Sequence, residues 1–216
     1  EQITADCLEN FGGAVAFTNC RHDSTIAALV AGGLAAVPSV YNQLETEIRF
    51  VKNLSVRQIT VFGYPDPTRD CDGNFCSPEV SVTQACWGVL QRRIPAADFQ
   101  FLFNSFLSPM NNALKAFVND PARQAGSGTI PKWTFVDMAS TSTKKGLCNC
   151  NQGWFNTVGQ SDNIQGDLLG SIHPNQRGQN DMMLPQVNNV LTDAQTKLIA
   201  IPHAVAIAAL RTRGEL

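Results

Sequence analysis

The side chain best placed to move a proton is His173, in the run Gly170-Ser171-Ile172-His173-Pro174-Asn175-Gln176-Arg177-Gly178-Gln179. Small and turn-forming residues precede it and Pro174 follows directly. A longer, partly apolar stretch then begins at Gln176, a pattern that presents an imidazole on a loop and next enters a helix. Histidine titrates close to neutral pH, so an imidazole held this way suits a general base. The other two histidines, His22 and His203, lack such a setting. A serine nucleophile is harder to find. No Gly-Asp-Ser block and no Gly-x-Ser-x-Gly elbow occurs, and Ser161, in Gly159-Gln160-Ser161-Asp162, has no strand before it.

Metal chemistry has little support. Asp70-Cys71-Asp72-Gly73-Asn74 has the flavour of a calcium loop but lacks the twelfth-position glutamate and a flanking helix pair, so it reads as a solvated turn. Cys148-Asn149-Cys150, with one-residue spacing and no histidine nearby, fits zinc patterns poorly. Neither a metal nor a cofactor is expected.

The elements that must position His173 can be read from periodicity. Apolar residues from Ile26 to Val51 recur at three- and four-residue spacing and predict a long helix, kinked or split at Pro38. Gln58–Phe62 is β-branched and nearly continuously apolar, the mark of a strand buried on both faces of a parallel sheet, and Gly63-Tyr64-Pro65 ends it. Residues 81–119 read as helical, with interruptions near Pro95 and Pro109 and an aromatic stripe that reads as core. Thr134 to Met138 predicts a second strand, Ala139 to Ile172 a long loop carrying Trp154 and Phe155, and Gln176 to Lys197 a helix.

His-Pro-Asn-x-x-Gly, preceded at a distance by a strand ending Phe62-Gly63-Tyr64-Pro65-Asp66, resembles the last part of the SGNH (GDSL-type) hydrolase family. Ile164 to Gly170 looks like its secreted esterase and lipase branch. The resemblance covers most of residues 1 to about 190. It implies an α/β, three-layer, flavodoxin-like fold with a parallel sheet, of which this chain supplies only the C-terminal strands and helices. His173 matches the family's base. The family's usual orienter, an aspartate three residues earlier, is replaced by Gly170, so the resemblance points to the Gly170 carbonyl as acceptor for Nδ1–H, with Asp167 as the alternative. The nucleophile and oxyanion donors would then lie outside this chain. A Cys7–Cys20 bridge is also implied, as is an acyl pocket bordered by a minority of the aromatic stripe.

Two strands cannot complete a doubly wound sheet, and an open apolar strand edge is an aggregation liability. The expected partner is therefore the N-terminal portion of the same precursor, or a complementary chain, besides an ester substrate. Residues 1–197 are read as the C-terminal portion of the hydrolase domain and 198–216 as a C-terminal helical extension. No starting methionine or signal-like segment is present, which the reading takes as a processed piece of a secretory precursor. Seven cysteines favour an oxidising, extracytoplasmic compartment, with one or two bridges among Cys71, Cys76, Cys86, Cys148 and Cys150 joining the loops that follow the two strands. A formal net charge of −2, with no basic run among aromatics, argues against nucleic acid. Leu198 to Leu210, interrupted by Pro202 and His203, is too short for a membrane span. The competing reading is a non-catalytic binding or structural subunit on the same scaffold.

Overall fold

The computed structural model describes residues 20–22, 24–48, 56–76, 96–126, 131–148, 153–156 and 173–193. Asp167, Gly170, Ser161, Cys7, Cys86, Cys150, His203 and the extension over 198–216 lie outside the described residues, and with them the Cys7–Cys20 pairing.

Two parallel strands form the centre, β1 (Gln58–Phe62) and β2 (Lys132–Val136), paired in register from Gln58 opposite Lys132 to Phe62 opposite Val136. β1 has the predicted bounds. β2 begins two residues earlier than predicted and stops at Val136, because the Asp137 side chain accepts from the Ser140 N–H and caps a short helix instead. The two faces of this sheet differ. Ile59, Val61, Trp133 and Phe135 point to one side and join an apolar core, whereas on the other the Thr60 and Thr134 hydroxyls bond each other at 2.9 Å beside the Gln58 amide. Burial on both faces was expected. Among the described residues only one face is dry.

That face is covered by α1 (Ser24–Thr46) and α3 (Ser108–Val118). α1 is continuous through Pro38, which neither splits nor ends it. Its inward positions are Ile26, Val30, Val37, Tyr41 and Glu45, spaced by four or by twice three and a half, which fits a helix laid along a surface. Val40 and Leu44, read from the sequence as part of the apolar face, are exposed. By length and composition α1 could cross a membrane, with a mean hydropathy of 1.5 over an 18-residue window, which the reading of Leu198 to Leu210 alone had missed. Here its Tyr41 instead packs on Phe117 and Trp133. Its C-terminal end is tied to α4 (Pro121–Ala125) by Arg123, which bonds Glu45 and Asn42 and lies over the Phe117 ring.

The aromatic stripe forms α2 (Ala96–Phe101), a π-helical segment (Leu102–Leu107) and α3 without a break. Pro109 has no N–H to offer the preceding turn, and the wider π turn falls just before it. The same happens near the other end of the chain. α6 starts at Gln176–Gly178, widens to a π segment over Gln179–Met183, and returns to α-helix over 184–193, with Pro185 two residues beyond the widened turn. At the start of the stretch read as a long loop the described residues include a further helix, α5 (Met138–Ser142), too short to betray itself by periodicity.

Candidate active site

The loops that leave the two strands at one rim are bound together. Parallel strands put their C-terminal ends on the same side, the usual place for chemistry in α/β sheets. A disulfide joins Cys76, in the loop after β1, to Cys148, in the loop after β2. This is a bridge of the kind the cysteine positions implied, and it fits an oxidising compartment. Cys71 is an exposed free thiol. Backbone bonds run alongside the disulfide: Leu147 N–H to the Pro67 oxygen and Cys76 N–H to the Thr68 oxygen, both 2.8 Å. Gly146 is where the two loops touch, since a Cβ there would meet the Pro67 and Arg69 backbones.

The turn read at Asp70–Asn74 is a turn with a solvated tip, but the loop that carries it, Asp66 to Cys76, is anchored by buried polar residues. Asp66, Thr68 and Asp70 are almost wholly buried, and only the tip at Cys71, Asp72 and Asn74 is exposed. Asp66 accepts from the Thr68 N–H and hydroxyl, pairs with Arg69 at 3.3 Å, and its own N–H is taken by Ser142 Oγ. Asp70 Oδ1 accepts the N–H groups of Asp72 and Asn74. Oδ1 thus closes a turn, while among the described residues Oδ2 is buried without a hydrogen bond and no group of three His, Cys, Asp or Glu side chains is placed to hold a metal. The Arg69 guanidinium lies between the Phe75 and Phe103 rings, 3.6 and 4.7 Å from their centroids.

His173 hangs from this assembly by its main chain. Trp154 N–H bonds the Lys145 oxygen, Asn156 N–H bonds the His173 oxygen at 2.9 Å, and Asn175 N–H bonds the Trp154 oxygen at 2.8 Å. Phe155 is buried against the disulfide and forms a bridge with Pro174. The Asn175 side chain makes three further bonds: Nδ2 donates to the Gly153 and Phe155 oxygens, and Oδ1 accepts the Gly178 N–H as the cap of α6. Gly178 is obligatory for contact, because a Cβ there would stand 2.1 Å from the Trp154 oxygen. Each fixed position of His-Pro-Asn-x-x-Gly after the histidine thus has a mechanical reason. His173 itself is exposed, and among the described residues its imidazole makes no hydrogen bond. Both of its candidate orienters, Gly170 and Asp167, lie outside the described residues.

Beside this assembly lies a cleft of about 280 Å³ at the rim, bounded by Arg69 and Asp66 from the first loop, α3 on one side, and Phe135, Asp137 and α5 on the other. Asn111 helps form it by holding the chain that leaves β1: its Oδ1 accepts from Tyr64 N–H at 2.7 Å and its Nδ2 donates to the Tyr64 oxygen at 2.8 Å. Gly63 has to be small there, with Phe135 and Asn111 within about 3 Å of any added Cβ. Nothing in the sequence marks Asn111, one asparagine of a pair in a helix. Phe103, from the aromatic stripe, lines the cleft.

No family model, no curated protein and no solved structure matches this chain.

Proposed function

We propose that this chain is the C-terminal portion of a secreted serine ester hydrolase of the SGNH type, with His173 as the general base. The observation that supports it most is mechanical: the His173 main chain is clamped by Asn156, Pro174 and Asn175 while its imidazole is left exposed, on a segment bonded to the loops at the C-terminal rim of a parallel pair, although His173 is not among the residues that line the cleft there. In this reading a serine outside the chain attacks the ester carbonyl and gives its proton to Nε2 of His173. The imidazolium then passes that proton to the departing alcohol, and water repeats the sequence to release the acid. The Gly170 carbonyl, or failing that Asp167, accepts Nδ1–H and sets the tautomer. The remaining strands of the three-layer fold come from the N-terminal portion of the same precursor or a complementary chain, which covers the open strand edge. The Cys76–Cys148 bridge agrees with a secreted protein.

A fluorophosphonate probe on the full-length native protein tests the reading. A serine outside residues 1–216 should be labelled, and His173→Ala should abolish the label. A full-length protein that carries no label supports the second reading, a non-catalytic subunit, which the glycine at position 170 favours.

A further inference from the structure

The cleft at the strand rim has a lining that selects among ester substrates. Among the described residues its charged groups are two cations, Arg69 and Lys115, and two carboxylates, Asp66 and Asp137, so their formal charges cancel and they favour neither an anion nor a cation. Asp66 and Arg69 already pair with each other. Lys115 Nζ and the Asn112 amide, both exposed on α3, make no hydrogen bond among the described residues, and Asp137 uses only Oδ1 to cap α5. Donors on one wall and a carboxylate oxygen on the other match hydroxyl groups, which need both. Phe103 and Phe135 add two rings beside those polar atoms. Ala139 is the sole aliphatic residue in the lining among the described residues, so a long acyl chain would desolvate polar groups there without replacing their bonds. A volume of about 280 Å³ is at the small end of ligand pockets.

We infer that this cleft binds the hydroxyl-rich alcohol part of the substrate, a neutral sugar or polyol unit of monosaccharide size, rather than a long acyl chain. The inference rests on the hydrolase reading for the ester, but the binding of the sugar unit stands or falls separately. Asn112 and Lys115 are then specificity residues, and Asp137 accepts a hydroxyl from the opposite wall.

Two measurements on the full-length protein test this. Saturation-transfer NMR with methyl glucoside, methyl xyloside and methyl N-acetylglucosaminide should show binding of at least one, weakened about tenfold or more by Asn112→Ala and by Lys115→Met; sodium hexanoate should not compete. In kinetics, each substitution should lower the ratio of kcat/KM for a mono-acetylated methyl glycoside to that for p-nitrophenyl hexanoate about tenfold, through KM. Both side chains are exposed, and circular dichroism checks that the variants fold. Absence of glycoside binding, competition by hexanoate, or an unchanged ratio overturns the inference. Glycoside binding by a protein that cleaves neither ester would retain the cleft assignment and reject the hydrolase reading.

Discussion

Gly178→Ala should destabilise this protein although it improves a helix. Gly178 has ordinary helical backbone angles, φ −61° and ψ −37°, so alanine meets no conformational obstacle and by propensity alone would add about 1 kcal/mol. Its Cβ, however, would stand 2.1 Å from the Trp154 oxygen and 3.0 Å from the Trp154 Cβ. A carbon and an oxygen in ordinary contact are about 3.3 Å apart, so α6 and the segment at 153–156 must separate by roughly 1 Å. That movement breaks the 2.8 Å bond from Asn175 N–H to the Trp154 oxygen. Overpacking costs about 1–3 kcal/mol and the lost bond about 1, against the propensity gain, leaving a net loss of about 2 kcal/mol. The melting temperature should fall by about 4–8 °C. Gly32→Ala is the internal control: it lies in α1 with nothing within 4 Å, so it should stabilise by up to about 1 kcal/mol. Denaturant midpoints measure both. A Gly178→Ala protein as stable as its parent would refute the packing argument, and with it the claim that Gly178 fixes the loop bearing His173.

Other perturbations separate structure from chemistry. Replacing Cys76 and Cys148 together by alanine opens a crosslink of sequence separation 72, worth about 4 kcal/mol by loop entropy; a midpoint shift below about 1 kcal/mol would contradict the bridge, and Cys71→Ser should change nothing. Asp98 is buried in α2 with neither carboxylate oxygen bonded, and that burial raises its pKa, opposed by the positive charges of Arg21 and His22. A raised carboxyl pKa means the folded state holds its proton more tightly, so stability is lost as pH rises from the ordinary aspartate value through the folded one. Asp98→Asn should therefore stabilise at pH 7, with a gain that fades toward pH 4; equal effects at both pH values would show that Asp98 ionises freely. His173→Ala should leave the denaturation curve unchanged, since the side chain is exposed, while cutting turnover on the order of a thousandfold or more. Asp167→Asn should cost little if the Gly170 carbonyl orients the base, and several orders of magnitude if the carboxylate does.

How much could be read in advance depended on the range of the interaction. β1 was legible because continuous β-branched character is a local property, and α1 because its inward residues recur over six turns. The disulfide between the loops followed from parallel strand direction, a property of topology rather than of the cysteines. The exposed turn at Cys71, Asp72 and Asn74 was legible, but the burial of Asp66, Thr68 and Asp70 was not, because it depends on the second loop laid over them, and that contact joins segments some 70 residues apart. α5 was hidden for a different reason: five residues give less than two turns, and only the Asp137 cap announces them.

The fixed residues around His173 carry two kinds of information that the linear motif merges. Asn175 and Gly178 contribute packing and capping, and any protein that needed this loop joined to this helix would keep them whatever its function. Pro174 likewise serves the bridge with Phe155. His173 is the one whose side chain supports none of these contacts among the described residues, while its peptide oxygen could be supplied by any residue. A binding subunit would thus be sensitive at 175 and 178 and indifferent at 173, whereas a hydrolase must be sensitive at all three, through stability at two and through chemistry at one. The functional weight of the motif therefore rests on the residue that contributes least to the fold.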